Sequence, residues 1–486
     1  MSEKRGIDRT VALLALLVTA TLGAAFLMDF GLPWKHSNAA SKVSKKAPQV
    51  DYRYYGAEPE VREFLIKAKA ASSIEDPYRR CLAFPDIPGN QWPAGLTRAH
   101  CLFAYGPRIT AEDIEYRVRN RLFTNLDVIY SRDLARHFSD VDFSEVIHSD
   151  FDEIEANEEW NKLTKAWLDQ APNSPYAQAI RARYLQLMAR AARGRQFAAD
   201  TPKSDLQRMS KLAQQSIYLY EKALTSEPRL MPAYGALINL GMIDSQPELM
   251  RHAFEAATAV DPDCFAVNNV AMIALRPEWG GSYPQMISLS HRLLADMARR
   301  PLLALPMIAP LVAKSEALIG AKRYDDSAEI LSVAAVHSTD PGIFEDLAMV
   351  LRDGGQWNKS SWKILMYELE SSRFEVPSEE ITSHLGMHLG FIDPQWSISI
   401  LKSAIAKRPD DAQAHLLLAQ DYETLNRPAD AEQEYRVVVE KPEQRADALL
   451  GLFRLAVQEK KPVIARGYYE AIAKEFPERL VGITAP

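Results

Sequence analysis

The amino-acid sequence predicts an all-α protein: a helical-hairpin α-solenoid preceded by a helical N-terminal region and one transmembrane helix. Alanine, aromatic and proline residues recur with one period from Tyr220 onward. Apolar residues elsewhere follow the i, i+3, i+4 spacing of helices, and no stretch keeps the strict alternation of a half-buried strand. These observations predict stacked pairs of helices.

The first predicted element is an apolar helix, from Val11 to Met28, which carries no charge over its 18 residues. A helix of that length spans about 27 Å, close to a hydrocarbon core. Lys4, Arg5 and Arg9 precede it, which favours an N-terminus that stays in the cytosol. A cleaved signal peptide is the rival interpretation, but no small-x-small motif follows the run directly. A cytosol-facing protein on an inverted anchor is a third.

The predicted organisation places the soluble part in the periplasm, on a single-pass anchor in the inner (cytoplasmic) membrane. The predicted segments are 1–10, a cytosolic N-terminus; 11–30, the transmembrane anchor; 31–50, a flexible linker; 51–195, a helical N-terminal domain; 196–300, helical repeats with a Trp-Gly-Gly loop; and 301–486, further repeats.

Composition excludes some functions and suggests a compartment. The net charge is -7 and the pI about 5.9, which argues against a nucleic-acid partner. Cys81 and Cys101 bracket a segment rich in proline and glycine, and a disulfide between them would constrain it. Two independent small hydrophobic residues are the alternative. Cys264 is left over.

Residues 51–195 carry two clear helix signals. Thr110 with Asp113 predicts an N-terminal cap, opening a helix that runs to about Phe138. Residues 176–192 place apolar side chains at helical spacing.

The repeat signal lies further along the chain. Members of five pairs stand 34 residues apart: Tyr220 and Phe254, Ala223 and Ala257, Pro228 and Pro262, Ala431 and Ala465, and Tyr435 and Tyr469. Two antiparallel helices and two turns use about 34 residues. The alanine lets helices approach closely, and the aromatic shares its helix face. Because one hairpin cannot bury its apolar stripe alone, each unit depends on its neighbours.

On these residues the chain resembles the tetratricopeptide-repeat family, over about residues 197–275 and 305–480. The matching units are 412–445, 446–478 and 231–264, with 324–335 as another second helix. Ile238 and Phe453 depart from the pattern, since that slot usually holds a small residue. The order of repeats and the Trp279-Gly280-Gly281-Ser282 loop also resemble a bacterial family known only as a domain of unknown function, which implies no activity.

The tetratricopeptide-repeat resemblance implies a concave face, lined by first helices, that binds a protein or an extended peptide. Its predicted partner-binding residues are Asn239, Met242, Gln413, Gln420, Glu423, Asp447, Arg454 and Gln458. A face that is merely kept soluble is the alternative interpretation.

Other candidate chemistry is weaker. His384 and His388 stand four apart, but no glutamate adjoins the first and no third ligand is near. The acidic segment 140–159 lacks the spacing of a calcium loop, and Asp150 with Asp152 resembles a surface pair. The Trp279 loop is interpreted as a turn with the indole packed under it, or else as a partner contact. We therefore expect no catalytic residue, metal or cofactor.

The predicted function is a membrane-anchored, non-catalytic scaffold for protein interactions at the bacterial cell envelope. The alternative is an envelope enzyme, a hydrolase, with its site in residues 51–195. Convergence of His100, His137, His148 and the carboxylates of 140–159 in one pocket would favour the enzyme.

Overall fold

The computed structural model describes residues 56–194, 200–375 and 377–485, without the side chains of 356–360. The predicted cytosolic N-terminus, anchor and linker lie outside these ranges. All regular secondary structure within them is helical, which confirms the all-α prediction. Because Pro, Ser, Thr or Asp stands at many helix starts, the sequence sets most helix boundaries locally.

The helices are numbered in chain order. They are α1 (Pro59–Ser72), α2 (Pro77–Ala83), α3 (Leu96–Tyr105), α4 (Ala111–Arg119), α5 (Phe123–Ser139), α6 (Val146–Asp152), α7 (Glu158–Gln170), α8 (Pro175–Arg193), α9 (Lys203–Ser226), α10 (Met231–Ile243), α11 (Pro247–Val260), α12 (Phe265–Ala274), α13 (Tyr283–Asp296), α14 (Ala304–Met307), α15 (Ala309–Gly320), α16 (Tyr324–His337), α17 (Pro341–Leu351), α18 (Trp357–Phe374), α19 (Glu379–Ile392), α20 (Pro394–Lys407), α21 (Ala412–Thr424), α22 (Pro428–Val438), α23 (Arg445–Gln458) and α24 (Pro462–Glu475).

The chain divides into two compact units. The central unit comprises Asn90–Lys314 and Ala334–Asp340, and the C-terminal unit comprises the described residues up to Gly89, Ser315–Val333 and the chain from Pro341 onward. The predicted domain ranges follow sequence repeats rather than compactness, and they stay predictions.

The C-terminal unit stacks its helices in sequence order. From α17 to α24 each helix packs on the next, and the alternate helices α19, α21 and α23 pack on one another. Helix α1 adds contacts with α18 and α20. This pattern is the helical repeat that the 34-residue period predicts.

The same pattern recurs in the central unit. Helices α7 to α12 pack in sequence order, and α8, α10 and α12 form the alternate set in mutual contact. Helices α5 and α6 pack against α8 and α10 respectively. The alternate helices therefore form one layer, and α9 and α11 lie in the other.

The predicted repeat alanines are buried in both stacks, whereas the repeat aromatics Phe254 and Tyr469 are half-buried. Ala223, Ala257, Ala431 and Ala465 have no exposed surface, and Tyr220 and Tyr435 are fully buried beside them. Tyr435 and Ala431 belong to one apolar cluster with Leu418, Ala419, Tyr422 and Leu452, which lie on α21 and α23. Small residues thus set the helix spacing, as the pattern predicts.

A shared turn geometry marks five hairpins. One non-glycine residue in each has a left-handed backbone, with φ between 54° and 57°: Arg121, Ser245, Lys322, Asn426 and Lys460. The next amide donates to the carbonyl five residues earlier, as from Arg427 to Tyr422 at 2.8 Å and from Lys461 to Ala456 at 2.9 Å. This is the Schellman closure of a helix C-terminus.

One helix prediction is wrong. The cap is correct, since Thr110 accepts from the Asp113 amide at 3.2 Å, but the helix stops at Arg119 and resumes at Phe123. The left-handed Arg121 turns the chain between them, so α4 and α5 form a hairpin. The helix predicted over 176–192 is confirmed as α8.

A second apolar stretch lies within the described chain. Pro301–Gly320 is long and apolar enough to cross a membrane, but 67% of its most apolar window is buried inside the protein. Such burial is usual for a core helix, so this stretch adds little to the case for a membrane span.

Candidate functional site

A first groove, which we call the helix-face groove, crosses α8, α10 and α12 in the central unit. Its cavity volume is about 360 Å³, and predicted residue Asn239 lies in it. Arg183, Gln186 and Arg190 line the α8 side, and Asn269 lies on α12. Asn239 accepts from Gln186 Nε2 at 3.1 Å. The role of Asn239 in binding a partner stays a prediction.

A second groove, which we call the loop groove, lies where the hairpin turns meet. Its cavity volume is about 1030 Å³, and predicted residue Met242 lies in it. Its lining is mainly apolar and rich in methionine, and includes Met209, Met242, Met250, Ile243, Leu275 and Trp279. Methionine adapts to irregular partners, so such a lining suits a variable apolar ligand.

Trp279 stands at the loop groove with 42% of its surface exposed, so it is not packed under the turn as the favoured interpretation had it. The loop is closed by two backbone hydrogen bonds, because the Trp279 and Gly281 amides both donate to the Arg276 carbonyl, at 3.0 and 3.1 Å. A Cβ at Gly281 would overlap the Leu275 carbonyl. Gly281 therefore permits a loop conformation in which the Trp279 indole is exposed to solvent.

The predicted concave residues of the C-terminal unit lie on α21 and α23. Gln420, Arg454 and Gln458 are exposed, whereas Gln413, Glu423 and Asp447 are half-buried. Several already have partners within the chain: Arg454 with Glu423 at 2.8 Å, Asp447 with Arg479 at 3.1 Å, and Gln458 with Asn426 at 3.3 Å. Their role in binding stays a prediction.

His384 and His388 share a carboxylate. His388 Nδ1 lies 3.0 Å from Glu368 Oε2 and His384 Nδ1 lies 3.8 Å from Glu368 Oε1, while Arg352 Nη1 approaches His384 Nδ1 at 2.6 Å. Burial and then the Arg352 charge lower the pKa of His384. A cation beside the imidazole opposes metal binding there.

Asp150 and Asp152, considered as an acid and base, have separate surroundings. Asp150 accepts from the Ile109 amide at 3.2 Å, and its Oδ2 has no partner among the described residues. Burial, with Asp133 nearby, raises the pKa of Asp150 to about 7. Asp152 instead pairs with Arg183 at 2.7 Å. The two carboxylates therefore contact different partners.

We expect Asp150→Asn to remove part of the alkaline sensitivity of the central unit. Because the pKa of Asp150 is raised in the folded protein, its protonated carboxyl stabilises the fold. This stabilisation is complete below the pKa of the unfolded chain, about 4, and is lost as the pH rises through the folded pKa of about 7. Between pH 5 and 8 the free energy of unfolding of the wild type should therefore fall by about 2 kcal/mol, and that of the variant should not show this fall. Thermal melts across this range measure it. Asp142→Asn, at an exposed ion pair with Arg98, is the control and should follow the wild type.

The convergence that would favour an enzyme is partial. His137, Glu145 and His148 are all buried and offer ligand atoms within 4.8 Å of one another. Cys264, a free cysteine, places its Sγ 3.3 Å from His148 Nε2. His100 instead contacts Thr339 at 2.8 Å. His137, His148 and the carboxylates of 140–159 belong to the set named from the sequence as one that could converge, but Cys264, which lies 116 residues beyond His148, does not.

Cys81 and Cys101 are both buried. Cys81 lies on α2 and Cys101 on α3. Their pairing as a disulfide stays a prediction.

Comparison with known proteins adds little. No family model and no curated protein matches the chain. Among solved structures, the chain is similar to a circular tandem repeat protein with novel repeat topology and enhanced subunit contact surfaces, at 14% identity and a TM-score of 0.16, covering 87% of this chain and 96% of that one. A likeness that weak supports no argument about function, so the helical-repeat fold rests on the packing described above.

Proposed function

We propose that the protein is a non-catalytic, tetratricopeptide-type scaffold that binds extended segments of partner proteins in the loop groove. One observation supports this most strongly: an exposed tryptophan, on a loop closed by backbone hydrogen bonds, lines a groove rich in methionine. Large aromatic side chains in such positions dominate the binding energy of protein interfaces.

The groove favours a particular occupant. Its volume of about 1030 Å³ exceeds that of most small-molecule sites. Its lining carries two carboxylates, Asp244 and Glu278, against one cation, Arg193, so its charge is acidic by one. The proposed ligand is therefore a peptide segment with a large apolar side chain against Trp279 and a basic residue beside these carboxylates.

The experiment is a selection of random peptides displayed on phage against the full chain, followed by affinity measurement on the enriched peptides. We expect an apolar anchor next to a lysine or arginine, and an affinity loss on the order of 30-fold for Trp279→Ala, the size of an interface hot spot. Tyr218→Ala removes another exposed aromatic, outside the groove, and should change nothing. Equal affinity for Trp279→Ala would contradict the proposal.

The wider proposal places this scaffold on the periplasmic face of the inner membrane through residues 11–30, with the cytosol holding the N-terminus. The uncharged run Val11–Met28 after Lys4, Arg5 and Arg9 supports it. Protease added to intact spheroplasts should digest the soluble part, and protection from it would refute this topology. Within the C-terminal unit, we propose Gln413, Gln420, Glu423, Asp447, Arg454 and Gln458 as polar contact residues for a partner. Asn239 is proposed separately as a polar contact residue of the central unit.

A further inference from the structure

A buried group of metal-ligand side chains lies in the central unit, apart from the loop groove. It consists of His137 at the end of α5, Glu145 before α6, His148 on α6, and Cys264 before α12, which we call the His-Glu-Cys cluster. All four are buried. Such a set of nitrogen, sulfur and carboxylate donors matches the ligands that zinc takes in proteins.

The distances within the cluster suit a tetrahedral ion. His148 Nε2 lies 3.3 Å from Cys264 Sγ and 3.8 Å from Glu145 Oε2. Ligands at 2.0–2.3 Å from a tetrahedral centre stand roughly 3.3–3.8 Å apart. The His137 ligand atom lies within 4.8 Å of those of Glu145 and His148, so a shift of about 1 Å completes the site.

His137 has the hydrogen bonding of a metal ligand. Its Nε2 lies 2.8 Å from Asp261 Oδ2, so a neutral His137 that donates to this carboxylate has its lone pair on Nδ1. That Nδ1 is buried without a hydrogen-bond partner in the described structure. Metal-bound histidines commonly donate their other nitrogen to a carboxylate in this way.

The other three members also lie out of water, with Cys264 fully buried and Glu145 only 4% exposed. A divalent cation would compensate the charge of a thiolate and a carboxylate held there. Glu145 is already fixed in place, because the Phe265 and Ala266 amides donate to it at 3.1 and 3.3 Å.

Two cavities reach members of the cluster and could admit an ion. His148 lines the helix-face groove, and Glu145 lines a cavity of about 10 Å³, about the space of one water molecule. We propose that His137, Glu145, His148 and Cys264 bind one zinc-class divalent cation, releasing the Cys264 thiol proton to solvent as the metal–sulfur bond forms. The ion would join α5, α6 and α12, a structural role beneath the repeat layer.

The test measures metal in the full chain, purified without a histidine tag from cells given zinc. Elemental analysis should find one zinc per chain in the wild type and less than a tenth of that in His148→Ala and Cys264→Ser. The control is His415→Asn, which alters a buried histidine paired with Glu434 at 2.6 Å in the C-terminal unit, and it should keep the full zinc content.

Cobalt gives a readout that does not depend on the variants folding. The wild type, stripped with a chelator and loaded with Co²⁺, should show the intense near-ultraviolet band of a thiolate–cobalt bond. Wild-type protein that retains no zinc, or that binds Co²⁺ without this band, overturns the proposal. A folded Cys264→Ser variant with the full zinc content overturns it as well.

Discussion

Replacing Arg373 with methionine is expected to destabilise the C-terminal unit by about 3–5 kcal/mol, the cost of leaving a buried charge without its partner. The Arg373 side chain is only 1% exposed. Its guanidinium donates to the carbonyls of Cys81 and Phe84 at 3.0 and 2.8 Å, and to Glu370 Oε1 at 3.0 Å. Loss of the guanidinium removes every one of these donors at once.

Glu370 explains why the effect should be large. It is fully buried, and burial raises its pKa to about 7 even with Arg373 beside it. Without the arginine, the carboxyl must be protonated or stay charged in an apolar interior. Hydrogen exchange of the α18 amides measures the free energy of opening directly.

A double variant separates charge from packing. Arg373→Met combined with Glu370→Met leaves no buried charge, and an apolar pair of similar volume is often as stable as an ion pair. We expect it to recover at least half of the loss. Arg323→Met, at an exposed pair with Asp326, should cost less than about 1 kcal/mol. A single-variant loss as small as that would show that Arg373 is dispensable.

The helical repeat could be predicted from the sequence because its signals are local. An alanine and an aromatic four residues apart lie on one helix face, so their spacing reports the packing of adjacent helices. The second helices α11, α16, α22 and α24 accordingly lie where the pattern predicts. The break at Arg121 was missed, since no glycine or proline marks it and an ordinary residue takes the left-handed conformation.

The buried polar contacts could not be predicted, because their partners are far apart in the chain. Arg373 and Cys81 are separated by 292 residues, and His148 and Cys264 by 116. No local sequence pattern indicates such a pair. The packing of the whole helix stack determines which helices bring the two residues together. The exposure of Trp279 could not be predicted either, because the Trp-Gly-Gly motif is compatible with an indole packed under the turn and with an indole exposed to solvent.

A substitution at Gly451 is expected to destabilise the packing of α22 on α23. This glycine lies on α23 against Tyr435 of α22, and a Cβ there would come within 2.5 Å of the ring atoms Cε1 and Cε2. Tyr435 cannot move aside freely, because it is fully buried and its hydroxyl donates to Glu423. We expect Gly451→Ala to cost about 2–3 kcal/mol by overpacking, against its gain in helix propensity.

Two further variants isolate the contact. Gly467→Ala changes an exposed glycine on α24 with nothing within 4 Å of the new methyl group, and it should stabilise the unit by about 0.5–1 kcal/mol. On a Tyr435→Leu background the ring is gone, so the penalty of Gly451→Ala should fall below about 0.5 kcal/mol. Hydrogen exchange of α21 to α23 measures each step. An equal penalty in both backgrounds would mean that the helices do not meet through Gly451 and Tyr435, and the close packing of α22 on α23 would have to be set elsewhere.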